Sequence, residues 1–171
     1  MKRVILLIVI CLLSGTVTSF AQDGKRLSKK EIIAQKIKEQ LDHNTFKVMV
    51  QWAYPLAMAP IALNSNYSLE IKNDSVFSYL PYYGRAYSIP YGGGKALNFD
   101  APISDYSLVY PKKSKAIIKF TTKTNEDIYS YTINIYMNGN TDIIVNSQNR
   151  QSINFQGDAV VDLQKPSVNK Q

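Results

Sequence analysis

The chain has 171 residues, a formal net charge of +7 and a single cysteine. This length fits one domain with a sizeable hydrophobic core. The basic excess favours anionic surfaces but selects no partner by itself. A single cysteine excludes both a disulfide framework within the chain and a cysteine-based metal site.

The N-terminus has the pattern of a secretory signal peptide. Two basic residues precede an unbroken apolar run at 4–13, and Ser-Phe-Ala at 19–21 has the small-x-small form of a signal-peptidase site. The run is too short to span a bilayer as a stable helix. We therefore expect a periplasmic or secreted protein, cleaved after Ala21 and left without a transmembrane anchor. Cleavage also removes Cys11, and export makes nucleic acid a poor candidate partner.

The sequence divides into four parts. We expect a signal peptide at 1–21, a polar segment at 22–27, a single mainly-β domain at 28–163 and a loose tail at 164–171. Both short end segments are mostly polar, and the chain has no internal repeat. One domain therefore accounts for the mature protein.

One helix is predicted at the start of the domain, from about 29 to 42. Ser28 and Glu31 have the spacing of a capping box. Apolar residues then recur at helical intervals, at Ile32, Ile33, Ile37 and Leu41. This stripe favours a surface helix packed with one side on a sheet.

After the helix, the apolar pattern changes to a period of two, which predicts strands. Alternating segments occur at 46–52, 67–72, 75–80, 116–121, 129–137, 143–145 and 153–155. Asn138-Gly139 predicts a hairpin turn, and Trp52 falls on the inward side of the first segment. No strand is predicted from 81 to 105. The fold expected is α+β and mainly β, with the helix packed on an antiparallel meander sheet that is curled or barrel-like.

Several short segments between Phe46 and Gly157 carry a family resemblance. They are Asp74-Ser75-Val76, the run 80–87, Pro90-Tyr91-Gly92-Gly93, Asn138-Gly139, Asn149-Arg150, and Ile153, Phe155 and Gly157. Through them the chain resembles the domain-of-unknown-function family 4251, small exported proteins typical of Bacteroidota. The resemblance implies an exported bacterial domain and supplies no catalytic residues to transfer.

The most distinctive segment is rich in tyrosine and runs from 79 to 91. We select Tyr82, Tyr83, Arg85, Tyr87 and Tyr91 as candidate ligand-binding residues, because tyrosine rings stack on sugars or cover another protein and arginine pairs with carboxylate or phosphate. The alternative is that the rings close one end of the sheet and bury the arginine against backbone carbonyls. Because neighbours in an extended chain face opposite sides, we expect residue 79 to be buried and residue 82 or 83 to be exposed.

A second feature is a basic stretch between 105 and 126. It contains Lys112, Lys113, Lys115, Lys119 and Lys123 and no acidic residue. One interpretation is a sheet edge protected from association, and the other is a surface for an anionic glycan or lipid headgroup. Separately, 74–76 has the Asp-Ser-aliphatic form of a bacterial O-glycosylation site, although a plain turn is the simpler interpretation.

Two classes of function remain open. The favoured class is a non-catalytic binding or interaction domain of the bacterial cell envelope, whose partner is a glycan, a lipid headgroup or another protein. The alternative is a small periplasmic hydrolase that uses loop carboxylates, Asp100 or Asp105, on envelope polymers. The sequence favours a non-enzyme and predicts no catalytic set, no cofactor site and no metal site.

Overall fold

The computed structural model describes residues 27–88 and 94–161. It contains one helix, α1 (Lys29–Asp42), and nine strands. The strands are β1 (Thr45–Pro55), β2 (Ile61–Ala62), β3 (Ser68–Lys72), β4 (Ser75–Tyr79), β5 (Asn98–Lys112), β6 (Lys115–Lys123), β7 (Ile128–Tyr136), β8 (Asn140–Ser147) and β9 (Ile153–Ala159).

Eight of the strands form a closed antiparallel barrel. Each strand from β3 to β9 pairs with its neighbour in the chain, β1 pairs with β3, and β1 also pairs with β9 to close the sheet. The short strand β2 is an addition on β1, where Trp52 and Ala53 face Ala62 and Ile61. The predicted fold, a helix with a curled antiparallel meander, is confirmed.

The barrel has two distinct ends. The tight turns after β3, β5 and β7 lie at one end, together with the start of β1 and the end of β9. We call this the helix end, because α1 leads directly into β1. The connections 56–67, 80–97, 124–127 and 148–152 lie at the opposite end, which we call the loop end.

Helix α1 begins with the predicted capping box. The Ser28 hydroxyl accepts a hydrogen bond from the backbone N–H of Glu31, and the Glu31 carboxylate accepts one from the N–H of Ser28 at 2.7 Å. Ile37 and Leu41 are fully buried in the same core as the barrel interior. Ile32, placed on the same stripe by its spacing, is instead exposed.

A β-bulge in β1 corrects the prediction that Trp52 faces inward. The register against β9 shifts between Val50 and Trp52, so that one extra residue, Gln51, is accommodated. The extra residue reverses the alternation, and consequently Ala53 is buried while Trp52 is 41% exposed.

The prediction that 81–105 contains no strand is wrong, because β5 starts at Asn98. The strand is hard to detect because it contains prolines and a register shift between Ser104 and Ser107, where Asp105 has a φ of 54°. Its inward residues are only partly buried. The difference in polarity between inward and outward positions is therefore small along the whole of β5.

Two further expectations are corrected by the register. Tyr79 is 49% exposed rather than buried, because Ser78 and Leu80 on either side occupy the inward positions. Lys119 is exposed on the outer face as predicted. It does not protect an edge, however, because its strand β6 is paired with both β5 and β7.

Candidate functional site

A buried acid–arginine cluster lies at the loop end, where the connection after β6 meets the connection after β8. The Asp127 side chain is fully buried and the Arg150 side chain is 5% exposed. One oxygen of Asp127 accepts hydrogen bonds from the backbone N–H groups of Ile128, Gln148 and Asn149 at 2.8–3.2 Å. The other oxygen accepts from the Ser147 hydroxyl and lies 3.7 Å from Arg150 Nε. The carboxylate therefore determines the path of the β8–β9 connection.

Glu126 links this cluster to the tyrosine-rich connection. Its carboxylate pairs with Arg150 Nη2 at 3.0 Å and accepts hydrogen bonds from the backbone N–H groups of Lys95 and Ala96. A Cβ added at Gly94 would lie 2.4 Å from a Glu126 carboxylate oxygen. The C-terminal end of the 80–97 connection is therefore held by backbone hydrogen bonds to the Glu126 carboxylate.

The N-terminal end of the 80–97 connection is held by Tyr82. Its hydroxyl lies 3.0 Å from two backbone carbonyl oxygens, those of Arg85 and Gln151, which share its single O–H donor. Its ring faces the Arg150 guanidinium at 5.6 Å. Tyr83 is also partly buried and packs against the core. Both rings therefore contribute to the structure of the loop end, and the expectation that Tyr82 or Tyr83 is exposed is wrong, since both are half-buried.

Of the selected residues that the structure describes, Arg85 and Tyr87 are the exposed ones. Arg85 is exposed, which contradicts the alternative that it is buried against carbonyls. Tyr87 is 70% exposed, although its backbone N–H donates to the Asn149 carbonyl at 2.7 Å. Ala86, between them, forms an antiparallel bridge with Arg150. Tyr91 lies outside the described residues.

The structure does not bring the candidate hydrolase carboxylates into one site. Asp100 borders a shallow pocket of about 380 Å³ between β5 and the β6–β7 connection, and Asp105 is not among the residues that line it. Asp105 instead accepts a hydrogen bond from the Thr121 hydroxyl at 2.9 Å. Within 27–88 and 94–161, no three His, Cys, Asp or Glu side chains are grouped so that they could hold a metal ion.

Sequence reasoning missed the two central residues of the cluster, Asp127 and Arg150. They are far apart in the chain, and each looks like an ordinary polar residue in a turn. The available signal was weak: Asp127 directly precedes the apolar alternation of β7, and Arg150 belongs to a segment that carried the family resemblance.

Tyr129 gives this end of the barrel a testable dependence on pH. Its hydroxyl donates to the Ala96 carbonyl at 2.9 Å, and burial raises its pKa to about 12. In the unfolded chain the pKa is about 10. The folded state therefore retains a proton that the unfolded state loses, so stability is fully present below pH 10 and falls as the pH rises towards 12.

We expect Tyr129→Phe to lessen the alkaline fall in the free energy of unfolding, measured with urea between about pH 9 and 11.5. Burial also raises the pKa of Tyr131, so part of the fall should persist in the variant. Tyr136→Phe, a change at an exposed ring, is the control and should follow the wild-type curve. Identical curves for wild type and Tyr129→Phe would contradict the prediction.

These features define a small barrel domain of eight strands whose loop end is held by a buried acid–arginine cluster. The chain belongs to the domain of unknown function family DUF4251, whose model matches residues 28–159. A crystal structure of a DUF4251 family protein from Bacteroides eggerthii is similar, with a TM-score of 0.58, 12% sequence identity, and coverage of 76% of this chain and 88% of that one. At this identity the likeness concerns the fold alone. No curated protein matches the chain.

No helix in the described part of the chain is both long and apolar enough to cross a membrane.

Proposed function

We propose that the chain is exported and serves as a non-catalytic binding domain of the bacterial cell envelope, with Tyr87 and Arg85 as its ligand surface. The signal-peptide pattern at 1–21 supports export. The observation that carries the binding proposal is the contrast at Tyr87 between a solvent-exposed ring and a firmly held backbone.

Hydrogen bonds fix the backbone on both sides of the proposed surface. Two hydrogen bonds join Arg85 and Gln151. The Gln151 N–H donates to the Arg85 carbonyl at 3.0 Å, and the Gln151 side-chain oxygen accepts from the Arg85 N–H at 3.1 Å. With the bridge at Ala86 and the bond from Tyr87, three consecutive residues are held against the β8–β9 connection. A surface ordered before binding loses less conformational entropy when a ligand arrives.

The two side chains fit an acidic glycan. Arg85 and Tyr87 are both exposed and flank the bridged residue Ala86, so both can contact one ligand. The ring offers a flat apolar surface for a sugar, and the guanidinium offers paired N–H donors for a carboxylate. A uronic-acid-containing polysaccharide presents both groups in one repeat.

We expect the processed protein to bind acidic glycans more tightly than neutral ones on a glycan array. Tyr87→Ala should weaken that binding at least about tenfold, which corresponds to ~1.4 kcal/mol. The melting temperature should stay nearly unchanged, because an exposed ring contributes little to the core. The matched control is Tyr136→Ala, since Tyr136 is an exposed tyrosine at the helix end.

Wild-type affinity in Tyr87→Ala, or equal binding to neutral glycans, would contradict the proposal. The same samples test the alternative. Release of new reducing ends from a bound polymer, abolished by Asp100→Asn, would favour a hydrolase instead.

A further inference from the structure

A second concave surface lies at the helix end, away from Tyr87 and Arg85. It is an open groove of about 790 Å³ between α1 and the hairpin that joins β5 to β6. This volume is in the range of sites that enclose most of a small organic ligand. Nothing in the binding proposal for the loop end depends on this groove.

The groove has a largely apolar lining. Ala34 contributes a small side chain from α1, Pro111 contributes its ring from the end of β5, and Met137 contributes a thioether from the turn after β7. Methionine adapts its shape to irregular apolar ligands, and alanine leaves room along the helix. An unbranched hydrocarbon chain is the simplest group that fits such a surface.

Three lysines border the same groove. Lys38 comes from α1, Lys112 is the last residue of β5, and Lys113 lies in the turn that follows it. All three are exposed, so their stems can cover an apolar ligand while their ammonium groups reach its charged end. The nearby Tyr110 adds no negative charge, because burial and the Asp42 carboxylate, to which its hydroxyl donates at 2.7 Å, raise its pKa.

The lining is poorly suited to an extended peptide. A peptide that joins a sheet edge needs backbone donors and acceptors in regular alternation. Pro111 has no N–H to offer, and the lysines that follow it are typical of strand ends that resist pairing. A fatty acyl chain needs no backbone partners, and its carboxylate complements the lysines.

From the apolar lining and the three lysines at its border, we infer that this groove binds a single fatty carboxylate. The acyl chain lies against Ala34, Pro111 and Met137, and the carboxylate faces Lys112 and Lys113. Lys38 closes the other side of the groove, with its Nζ 5.9 Å from the centre of the Tyr110 ring.

Calorimetry with the processed protein tests the inference with laurate and methyl laurate, which share the acyl chain but differ in charge. We expect laurate to bind at least about tenfold more tightly than the ester, and added salt to reduce the difference. The double variant Lys112→Gln/Lys113→Gln should lose most of this preference. The double variant Lys119→Gln/Lys123→Gln, with the same change of charge on exposed residues of β6, should retain it.

Ala34→Trp should block both ligands by filling the groove, with an unchanged melting temperature showing that the fold is intact. Equal affinity for the ester and the acid would overturn the inference, as would laurate binding that is insensitive to the hairpin lysines.

Anionic phosphatidylglycerol vesicles are the third ligand to be tested. Tight binding to vesicles without binding to laurate would assign the lysines to a membrane surface and overturn it as well. Loss of glycan binding at the loop end would leave these results unaffected, so the two proposals fail separately.

Discussion

Replacing Gly157 with alanine is expected to disrupt the closure of the barrel between β1 and β9. Gly157 faces Val50 at the bulge, and a Cβ added there would lie 2.0 Å from the Met49 carbonyl oxygen and 2.8 Å from the Val50 Cα. Both contacts are with backbone atoms, which cannot rotate away as a side chain can. The two strands would have to separate at the seam of the barrel.

We expect Gly157→Ala to reduce the free energy of unfolding by about 3 kcal/mol or more, measured by urea denaturation. Gly139→Ala is the matched control. Gly139 has a φ of 104°, but a Cβ there would lie 4.0 Å from its nearest neighbour, the Ala159 carbonyl. Its cost is conformational and should be about 1 kcal/mol. A smaller loss for Gly157→Ala than for Gly139→Ala would contradict the close approach of β1 and β9.

Most of the strands could be predicted from the sequence because the barrel interior is consistently apolar. β6, β7 and β8 place side chains such as Ile118, Ile133 and Ile143 inside at every second position, and these residues are fully buried. The spacing of a strand with one buried face is a local property. It can therefore be read without knowledge of the partner strands.

The bulge and β5 could not be predicted in this way. A bulge adds one residue and reverses the alternation, so Trp52 and Ala53 exchange faces although the sequence remains regular. β5 has partly buried inward residues, a proline within its paired length at Pro102 and a positive φ at Asp105. Closure of the sheet is also a long-range property, because β1 and β9 meet from opposite ends of the domain.

The candidate site was predicted only in part. The tyrosine-rich segment was identified by composition, and Tyr87 and Arg85 are indeed exposed. Which rings face solvent depended on partners that are distant in the chain. The Gln151 carbonyl accepts from the Tyr82 hydroxyl, and the Arg150 guanidinium lies over the Tyr82 ring. Composition cannot show these contacts, because they arise only when two connections meet at the loop end.

Loss of the Asp127 carboxylate is expected to weaken the whole loop end. In Asp127→Ala, the Ile128 N–H loses its acceptor. The N–H groups of Gln148 and Asn149 keep only longer contacts of 3.3 Å, to the Ile128 carbonyl and the Ser147 hydroxyl. Arg150 is left with Glu126 as its acidic partner. A buried donor left without its acceptor typically costs about 1–3 kcal/mol, and Arg150 also loses the more distant of its two acidic partners. The total should be about 3 kcal/mol. We expect a loss of that size in the free energy of unfolding, measured with urea.

The effect should also reach the proposed ligand surface, because Asn149 holds Tyr87 through its carbonyl. Hydrogen exchange at the Tyr87 N–H should become faster in Asp127→Ala under conditions where the variant remains folded. Asp142→Ala is the control, since the Asp142 carboxylate is only partly buried on β8 and accepts one side-chain hydrogen bond, from Gln156 at 3.3 Å. Its cost should be below about 1 kcal/mol. Equal losses in the free energy of unfolding for the two variants would mean that Asp127 does not organise the β8–β9 connection. Other contacts would then have to hold the Tyr87 backbone in place.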